Sequence, residues 1–281
     1  MGGQAEKTRQ HWKDAAPRWR QHGALVRELT DPVSAALVEA ARPAAGESWL
    51  DVASGVGDPA DRMAKRVRPT GSVVATDLVH EMVLATADAL SGEVAGVVAA
   101  AEALPFVSAF DGASCRFGAM FFADPPRALG EIRNSLKPGG RAVFAVWGAP
   151  ERNPFFSEVG AAVRDVVPDA PRPEPDDPHG FRYAPAGKLV KLLRAAGWID
   201  VDERTVSFDM SAPLELDELW DFMLGMSPDL EKLVDELPPD LRVRLRRGLE
   251  ERMSPFFRTG TSRFPAEARL VLAHNPRQTA A

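Results

Sequence analysis

The strongest constraint on the fold is a pair of apolar runs that end in residues of two different kinds. The first run, residues 48–53, passes into a small-residue turn with Gly55 and Gly57. The second run, residues 72–76, ends at Asp77, which is 77 − 57 = 20 positions after Gly57. A backbone that bends sharply and approaches a ligand closely needs residues without bulk, and an acid that ends the neighbouring strand can accept both hydroxyls of a ribose. The two runs therefore predict a pocket for a ligand built on adenosine.

Composition places the chain among ordinary globular proteins. Its 281 residues are 45% hydrophobic and 26% charged, which is enough for one large domain with its own core. A net charge of −6 argues against a nucleic-acid partner. The single cysteine, Cys115, excludes an internal disulfide and a cysteine-rich metal site, so we expect no metal. We find no apolar segment as long as a signal peptide or membrane span, and therefore expect a soluble cytoplasmic protein without a membrane partner.

Strand-like and helix-like segments alternate over the first half of the chain. Helical spacing of apolar residues predicts two helices within residues 5–42 and further helices over 59–67, 80–90 and 126–136. Apolar runs predict strands over 48–53, 72–76, 93–99, 110–117 and 141–147, with a tight turn at 137–140. Strands separated by helical stretches of about 10–15 residues favour right-handed crossovers and a mostly parallel sheet.

The pattern changes after Trp147. Seven prolines lie between residues 148 and 182, which predicts one short helix followed by an irregular loop. The remaining segments are predicted as a helix over 183–196, a strand over 198–210, a helical stretch over 214–257 and a last strand over 267–273.

The glycine turn by itself leaves two cofactor classes open. Residues 55–60 fit the dinucleotide pattern G-x-G-x-x-A, as in enzymes that use a nicotinamide or flavin cofactor. A smaller ligand is favoured because helical sequence precedes the first strand and no second substrate domain follows. Asp51, inside the first strand, could receive an ammonium group of a ligand. It could equally be a structural acid that bonds loop amides.

Four motifs in order carry a resemblance to a known family. They are LDVASGVG at 50–57, VATDLVHEM at 74–82, EALPF at 102–106 and LKPGGR at 136–141. Together they resemble the class I S-adenosylmethionine-dependent methyltransferases, and most closely the branch of the ubiquinone/menaquinone C-methyltransferases. The resemblance implies an α/β, Rossmann-like three-layer sandwich with a seven-stranded, mostly parallel sheet and an antiparallel final strand. It also implies N-terminal helices, a helical lid insertion, S-adenosylmethionine as cofactor and S-adenosylhomocysteine as product.

The resemblance also implies the residues that contact the cofactor. Gly55 and Gly57 would let the backbone approach the methionine part, and Asp77 would bind the ribose hydroxyls. The other positions are assigned as follows: Asp51, Ala53 and Ser54 around the turn, Leu78 and Met82 flanking the adenine, Ala101 and Glu102 at the adenine edge, and Cys115, Arg116 and Phe117 beside the transferable methyl group.

Three positions depart from the family pattern. Ala53 stands where the first glycine is frequent, and Ser54 where cysteine is frequent, but both are small enough for the turn. Ala100 stands where the family usually has an aspartate, so one hydrogen bond to the adenine amino group would be missing. Such a bond is worth about 0.5–1.5 kcal/mol, roughly two- to tenfold in affinity. Backbone groups or Glu102 could replace it.

Methyl transfer from a sulfonium requires mainly that the acceptor be held in line, and a general base is needed only for some acceptors. We predict His11 and His179 as candidate bases, because lid segments could bring them over the methyl group. Aromatic and methionine side chains outside the sheet suit a small apolar or aromatic acceptor. The predicted acceptor-binding residues are Trp12, Trp19, Phe121, Phe122, Trp147, Trp220 and Met223.

These expectations divide the chain into five segments. They are an N-terminal helical lid (1–44), a cofactor-binding core (45–150), a proline-rich substrate cover (151–182), the completion of the core with a helical insertion at 214–257 (183–275) and a tail (276–281). We predict a methyltransferase for a small apolar or aromatic molecule, with C-methylation in quinone or natural-product biosynthesis as one option. An NAD(P)-dependent oxidoreductase and a non-catalytic cofactor-binding relative stay open as alternatives, as do monomer and homodimer.

Overall fold

The computed structural model describes residues 2–90, 94–170, 172–258 and 260–277. Parts of all five predicted segments lie outside these ranges: residue 1 of the lid, residues 91–93 of the core (with the first residue of the predicted third strand), residue 171 of the cover, residue 259 of the completion of the core and residues 278–281 of the tail.

The strands form one mixed sheet. They are β1 (Ser48–Val52), β2 (Ser72–Asp77), β3 (Ala95–Val98), β4 (Phe110–Arg116), β5 (Leu136–Trp147), β6 (Ile199–Ala212), β7 (Phe257–Arg258) and β8 (Thr261–His274). Seven of them lie side by side in the order β3-β2-β1-β4-β5-β8-β6, and the two-residue β7 pairs with β8. The pairs among β1 to β5 are parallel, whereas β8 is antiparallel to both β5 and β6. The expected mostly parallel sheet with an antiparallel final strand is confirmed.

Helices cover both faces of this sheet and complete a three-layer sandwich. They are α1 (Gly2–Gln21), α2 (Gly23–Ala41), α3 (Ala60–Val67), α4 (His80–Leu90), α5 (Pro125–Ser135), α6 (Pro154–Val166), α7 (Lys188–Ala195), α8 (Leu216–Met226), α9 (Pro228–Glu236) and α10 (Pro239–Met253). Trp49 packs in one buried cluster with α3, and Leu50 packs in another with α5 and α7. Both are buried because successive strand residues point to opposite, helix-covered faces. In the described part of the chain, no helix combines the length and apolarity needed to cross a bilayer.

Prolines set the boundaries inside the predicted helical stretch 214–257. The stretch is divided into α8, α9 and α10, and the last two begin at Pro228 and Pro239. A proline inside a helix removes a backbone hydrogen bond and clashes with the preceding turn, but it fits the first turn. The Ser227 hydroxyl accepts a hydrogen bond from the Leu230 amide (3.3 Å) and caps α9.

Three predicted boundaries are wrong. The last strand was expected from residue 267 but begins at Thr261, where Ser262 and Phe264 alternate inward beside exposed neighbours. The helix expected from residue 183 begins at Lys188, because residues 181–183 form a turn. The predicted turn at 137–140 lies within β5, which extends to Leu136 across an irregularity in its pairing with β4.

The strand order brings the ends of β1, β2 and β4 together. Asp51 on β1 is in register with Ala75 on β2 at one side and with Ser114 on β4 at the other. The three strands are parallel, so their carboxyl ends meet at one edge of the sheet, which we call the carboxyl edge. Open parallel sheets bind ligands at this edge, where the strand order reverses. The strand order therefore positions the candidate site between β1 and β4.

Close packing of β1 on β4 gives a test of the core. Gly112 is in register with Trp49, and a Cβ at this glycine would overlap the fully buried indole ring. We expect Gly112→Ala to lower the free energy of unfolding by about 1–3 kcal/mol, because overpacking forces the ring or the strand to move. Urea unfolding measures the change.

Gly130 is the matched control for this substitution. It lies within α5, and a Cβ there would meet no described atom within 4 Å. Alanine is the better helix former by about 0.5–1 kcal/mol, so Gly130→Ala should stabilise the chain. Equal effects of the two substitutions would contradict the packing described for β1 and β4.

Candidate functional site

The turn after β1 passes through left-handed backbone at three positions. The φ angle is 56° at Ala53, 54° at Gly55 and 86° at Gly57. The Ser54 amide donates to the Thr76 carbonyl oxygen (2.9 Å), and this bond holds the turn against β2. Left-handed backbone costs a non-glycine residue about 1–2 kcal/mol, so Ala53 forms the turn at some cost in stability.

The small residues of the turn face different neighbours. A Cβ at Gly57 would lie 3.3 Å from Cγ of Leu90, so glycine lets the turn pack on α4. The Ser54 hydroxyl bonds the Thr86 hydroxyl (3.2 Å), also on α4. A Cβ at Gly55 would meet no described atom within 4 Å. Of these three residues, Gly55 is the one that presents open space to a ligand.

Asp77 joins the end of β2 to this turn. Its Oδ2 accepts a hydrogen bond from the Gly55 amide (2.9 Å), and its Oδ1 accepts one from the Val79 amide (3.4 Å). Burial raises the pKa of Asp77 to about 6, although these backbone donors favour the ionised form. The structure thus brings together the acid and the glycine that the sequence pairs. Their contact with the ribose and the methionine part stays a prediction.

Asp51 has one oxygen that the protein does not use. The side chain is 1% exposed, and its Oδ1 accepts a hydrogen bond from the Ser114 hydroxyl (2.6 Å). Its Oδ2 is buried and has no hydrogen-bond partner among the described residues. Burial raises the pKa of Asp51 to about 7. The carboxylate therefore does not bond loop amides, which was one of the two readings of this residue, and the unpaired oxygen suits an ammonium group.

Arg116 is bound by the protein on the other side of the β4 end. Its Nε donates to the Asp58 carbonyl oxygen (3.0 Å), and its Nη1 donates to the Thr30 hydroxyl (2.6 Å). The guanidinium thus ties β4 to α2 and to the start of α3. A place for this residue beside the methyl group stays a prediction. Cys115, the preceding residue, is buried, and burial raises the pKa of its thiol well above the usual range.

Glu102 also has a structural role. Its Oε1 accepts hydrogen bonds from the amides of Ala123 (2.8 Å) and Asp124 (3.2 Å), which hold the loop before α5. This oxygen is therefore not free to replace the bond missing at Ala100. Ala101, which precedes it, is buried in a short 3-10 turn. A place for these residues at the adenine edge stays a prediction.

The first helix packs on the residues predicted to flank the adenine. Leu78 and Met82 at the start of α4 form a small cluster with Trp12 and Trp19 of α1. Trp12 also meets Phe121 edge to face, with ring centroids 5.0 Å apart. Three of the predicted acceptor-binding residues thus lie together: Trp12 and Trp19 on α1, and Phe121 in the segment after β4.

A second aromatic group lies at the ends of β4 and β5. The rings of Phe117 and Trp147 are stacked 4.0 Å apart at an interplanar angle of 12°, and Phe156 of α6 lies 4.9 Å from Trp147. Phe117 takes a φ of 60°, a left-handed conformation that ends β4 and turns the chain. These rings form an aromatic cluster at the ends of β4 and β5, where the resemblance places the methyl group.

The remaining predicted acceptor-binding residues are as buried as Trp147. Phe122, Trp220 and Met223, like Trp147 itself, are each less than a tenth exposed. The Arg246 guanidinium of α10 lies 6.0 Å from the Trp220 ring centroid, so this indole packs between α8 and α10. Their observed role is packing, and contact with an acceptor stays a prediction.

One ring nitrogen of each predicted base contacts the protein. The Nδ1 of His11 lies 3.5 Å from the Asp229 carboxylate, a contact that links α1 to α9 and leaves Nε2 of this ring as the nitrogen that could accept a proton. The Nδ1 of His179 accepts a hydrogen bond from the Phe181 amide (3.2 Å), which leaves the proton of the neutral ring on Nε2. Burial, with the nearby Lys188 charge, lowers the pKa of His179. The ring is thus neutral but presents a donor rather than a base.

Two buried polar residues near this edge were missed by the sequence analysis. Arg182 donates from Nη1 to the Phe122 carbonyl oxygen (2.7 Å) in the loop after β4, and its guanidinium lies 5.7 Å from the Tyr183 ring centroid. Their proximity to β4 depends on a contact across 60 positions. The only signal available beforehand was that Tyr183 is the one tyrosine of the chain.

The burial of Asp51 predicts a pH-dependent stability cost. Its pKa is about 7 in the folded chain, against an ordinary value of 3.8. Between these values the folded chain holds a proton that the unfolded chain has lost, so unfolding free energy falls as the pH rises. Asparagine does not titrate. We therefore expect the unliganded Asp51→Asn variant to gain stability over wild type as the pH rises from about 4 to about 8, measured by urea unfolding.

Asp111 provides a control of opposite sign. Its carboxylate bonds the Lys137 ammonium (2.8 Å), and despite some desolvation its pKa is lowered, chiefly by this partner. Its contribution to stability is present above its ordinary pKa and is lost at lower pH. Asp111→Asn should therefore lose stability relative to wild type as the pH rises through about 4. A pH-independent difference for Asp51→Asn would contradict the buried, partly unpaired acid.

Comparison with known proteins gives a consistent result. A family model described as a methyltransferase domain matches residues 50–144. The demethylmenaquinone methyltransferase of Thermus thermophilus is 32% identical over 189 residues, which cover 62% of this chain and 84% of that protein. The ubiquinone/menaquinone biosynthesis C-methyltransferase UbiE of Hahella chejuensis is 37% identical over 120 residues, or 41% of this chain, and the chain spans about half of its length (48%).

A comparison with solved structures agrees with the expected fold. A candidate methyltransferase from Bacillus halodurans has a TM-score of 0.55 over 86% of this chain and 98% of its own, at 24% identity. That likeness is one of fold. Together with the family match and the Thermus relative, it shows that the chain belongs to the class I S-adenosylmethionine-dependent methyltransferases, in the branch of the ubiquinone/menaquinone C-methyltransferases.

Proposed function

We propose that this methyltransferase acts on a small, largely apolar or aromatic molecule and holds its cofactor through Asp51, Gly55 and Asp77. One observation carries the cofactor assignment. The buried Oδ2 of Asp51 lacks a hydrogen-bond partner among the described residues, at a strand end beside the glycine turn. A buried, unpaired carboxylate oxygen is costly, and the ammonium of an amino-acid moiety would satisfy it.

The other residues of the edge fit the same ligand. When bound, S-adenosylmethionine supplies a methyl group already activated on a sulfonium sulfur. The Asp77 carboxylate would accept hydrogen bonds from the ribose hydroxyls as well as from the Gly55 amide. The open space at Gly55 would let the backbone approach the methionine part. The rings of Phe117 and Trp147 would present an apolar face, which is favourable near a cation.

The acceptor is proposed from the apolar lining and from the relatives. Phe117, Trp147 and Phe156 form an aromatic cluster beside the end of β4. The Thermus relative is a demethylmenaquinone methyltransferase, so a quinone-like ring methylated at carbon is one candidate. An aromatic intermediate of natural-product biosynthesis is another. The chain would orient such a ring and exclude water from it, and orientation alone can supply several kcal/mol of the barrier.

A non-catalytic role is the second candidate. It is favoured by Ala100, which cannot bond the adenine amino group, and by Glu102, whose Oε1 already accepts two amides. A weakly held cofactor would suit a sensor or partner-binding relative of the same fold.

A turnover screen separates these functions. The full chain is incubated with S-adenosylmethionine and a panel of quinols, phenols, indoles and amines, and S-adenosylhomocysteine release and the mass gain of one CH₂ are measured. Turnover with a small aromatic acceptor is expected. Cofactor binding without turnover on any acceptor would favour the non-catalytic role. Binding of NAD(H) but not of S-adenosylhomocysteine would overturn the proposal.

Asp77→Ala tests the ribose assignment. Loss of a charged acceptor for two hydroxyls should cost about 1.5–3 kcal/mol, which is roughly tenfold or more in the Kd of S-adenosylhomocysteine measured by calorimetry. Asp61→Ala is the control, since that acid lies on α3 in a surface pair with Lys65 (2.9 Å). An unchanged Kd for Asp77→Ala, in a variant that melts as a folded protein, would refute the assignment.

His179→Ala tests whether this histidine is the general base. A general base contributes about 10²–10⁴-fold to the rate. Because Nδ1 of His179 is already occupied by the Phe181 amide, we expect kcat to fall by less than about tenfold with any acceptor found in the screen. His11→Ala, at the other predicted base, removes contacts with Asp229 and Trp12 and is measured beside it. A loss of about 100-fold in one of the two variants, with the protein still folded, would identify that histidine as the base.

A further inference from the structure

Two buried side chains beside the end of β4 have hydrogen-bonding capacity that the protein does not use. Arg182 and Tyr183, called the Arg182–Tyr183 pair below, are 8% and 3% exposed. Arg182 reaches the loop after β4 through its bond to the Phe122 carbonyl oxygen (2.7 Å). On the other side, the Ala184 carbonyl oxygen accepts a hydrogen bond from Nε of Arg269 on β8 (3.1 Å). The pair is thus held in place from both directions.

The guanidinium of Arg182 lacks a counter-charge within the protein. It carries five N–H donors, but its bond to Phe122 is the only hydrogen bond it makes with the described residues, and it forms no ion pair with them. Asp176 is near enough to feel its charge, but that exposed carboxylate is paired with Lys188 (2.8 Å). The other N–H groups of Arg182 are not sealed into the core, because none is among the buried unpaired atoms. They are available to an anion.

The hydroxyl of Tyr183 is available in the same way. It has no hydrogen bond with any described residue, yet it is not among the fully enclosed unpaired atoms. Buried tyrosine hydroxyls usually have a partner, so this one is unusual. An ionised Cys115 thiol on β4 would raise the pKa of Tyr183 further, and Asp51 and Asp77 raise the pKa of that thiol, so these groups lie within electrostatic range of one another. Burial raises the pKa of Tyr183 to about 12, so the phenol stays a donor near neutral pH.

The pair also borders the aromatic cluster. Gly180, two residues before Arg182, lies against Trp147, since a Cβ there would be 3.9 Å from the indole Cδ1. An acceptor ring bound against Phe117 and Trp147 would therefore lie close to the carboxyl edge of the sheet. One end of that ring would be near the N–H and O–H donors of the Arg182–Tyr183 pair. Donors without acceptors select a negatively charged oxygen, and a guanidinium matches a carboxylate or phenolate well.

We propose, on the basis of the proposed function, that the Arg182–Tyr183 pair binds an anionic oxygen of the methyl acceptor, so that the preferred acceptors are small aromatic acids or phenols. Arg182 supplies the charge, and the Tyr183 hydroxyl adds a second, directed donor. The stacked rings hold the apolar body of the same molecule. The pair thus selects the acceptor and does not hold the cofactor.

Ligand binding to the full chain saturated with S-adenosylhomocysteine tests this. Calorimetry compares 2-naphthoate, 4-nitrophenolate and the neutral 2-naphthylmethanol, with two anions so that carboxylate and phenolate acceptors are distinguished. Wild type should bind at least one anion more tightly than the alcohol. Arg182→Met should weaken the binding of that anion roughly tenfold or more and leave the affinity for the alcohol unchanged. Arg247→Met, which removes an exposed arginine of α10, is the control and should change neither.

Tyr183→Phe keeps the test independent of folding. Its hydroxyl has no hydrogen-bond partner among the described residues, so its removal should leave the melting temperature unchanged and weaken binding of the same anion about two- to tenfold. Equal losses for anion and alcohol in Arg182→Met, with no effect of Tyr183→Phe, would overturn the proposal and leave Arg182 as an anchor of the Phe122 loop.

The affinity for S-adenosylhomocysteine separates this proposal from the proposed function. It should be unchanged in both variants, and a loss would assign the pair to the carboxylate of the cofactor and overturn the acceptor role. If wild type itself bound no S-adenosylhomocysteine, the proposed function would fail. In that case the anion affinities of wild type and Arg182→Met, compared in the absence of S-adenosylhomocysteine, would still decide whether the pair binds anions.

Discussion

The hydrogen bond from the Gly55 amide to Asp77 (2.9 Å) connects the two strand ends on which the candidate site depends. It requires a carboxylate at the carboxyl edge of the sheet, away from most water, and it fixes the left-handed backbone of the turn after β1. Asp51 lies on the next strand, also buried. Two neighbouring buried acids are unfavourable for folding, because burial raises the pKa of both. Their presence is easier to explain by ligand binding than by stability, as is common at functional sites.

Much of the fold could be predicted because the first five strands contain short apolar runs bounded by turn residues. Trp49 and Leu50 illustrate the reason, since a strand covered on both faces buries successive side chains. The start of β8 could not be read in this way. Its inward residues include Ser262 and Ala266, and the exposed Pro265 is of a type that strands disfavour, so the alternation is masked by small and polar side chains.

The candidate site was predictable at its backbone and much less so at its side chains. The spacing of Gly55 and Asp77 follows from one strand, one helix and the next strand, which is local information. The direction of Arg116 depends on α2 and on the turn before α3, which supply Thr30 and Asp58 as partners. Arg182 contacts the loop after β4 through Phe122, which is 60 positions away in the chain. A motif indicates the kind of residue present at a position but not which neighbour its side chain meets.

The position of β8 has a consequence for biosynthesis. This strand follows β6 in the chain, yet it is inserted between β5 and β6 and pairs with both. While the chain emerges from the ribosome, the edges of β5 and β6 that pair with β8 stay unpaired until residues 261–274 have been synthesised. Unpaired edges readily recruit strands from other molecules, and the helices α8 to α10 must be synthesised during this interval. The nascent protein is therefore most exposed to misassembly just before the sheet is completed.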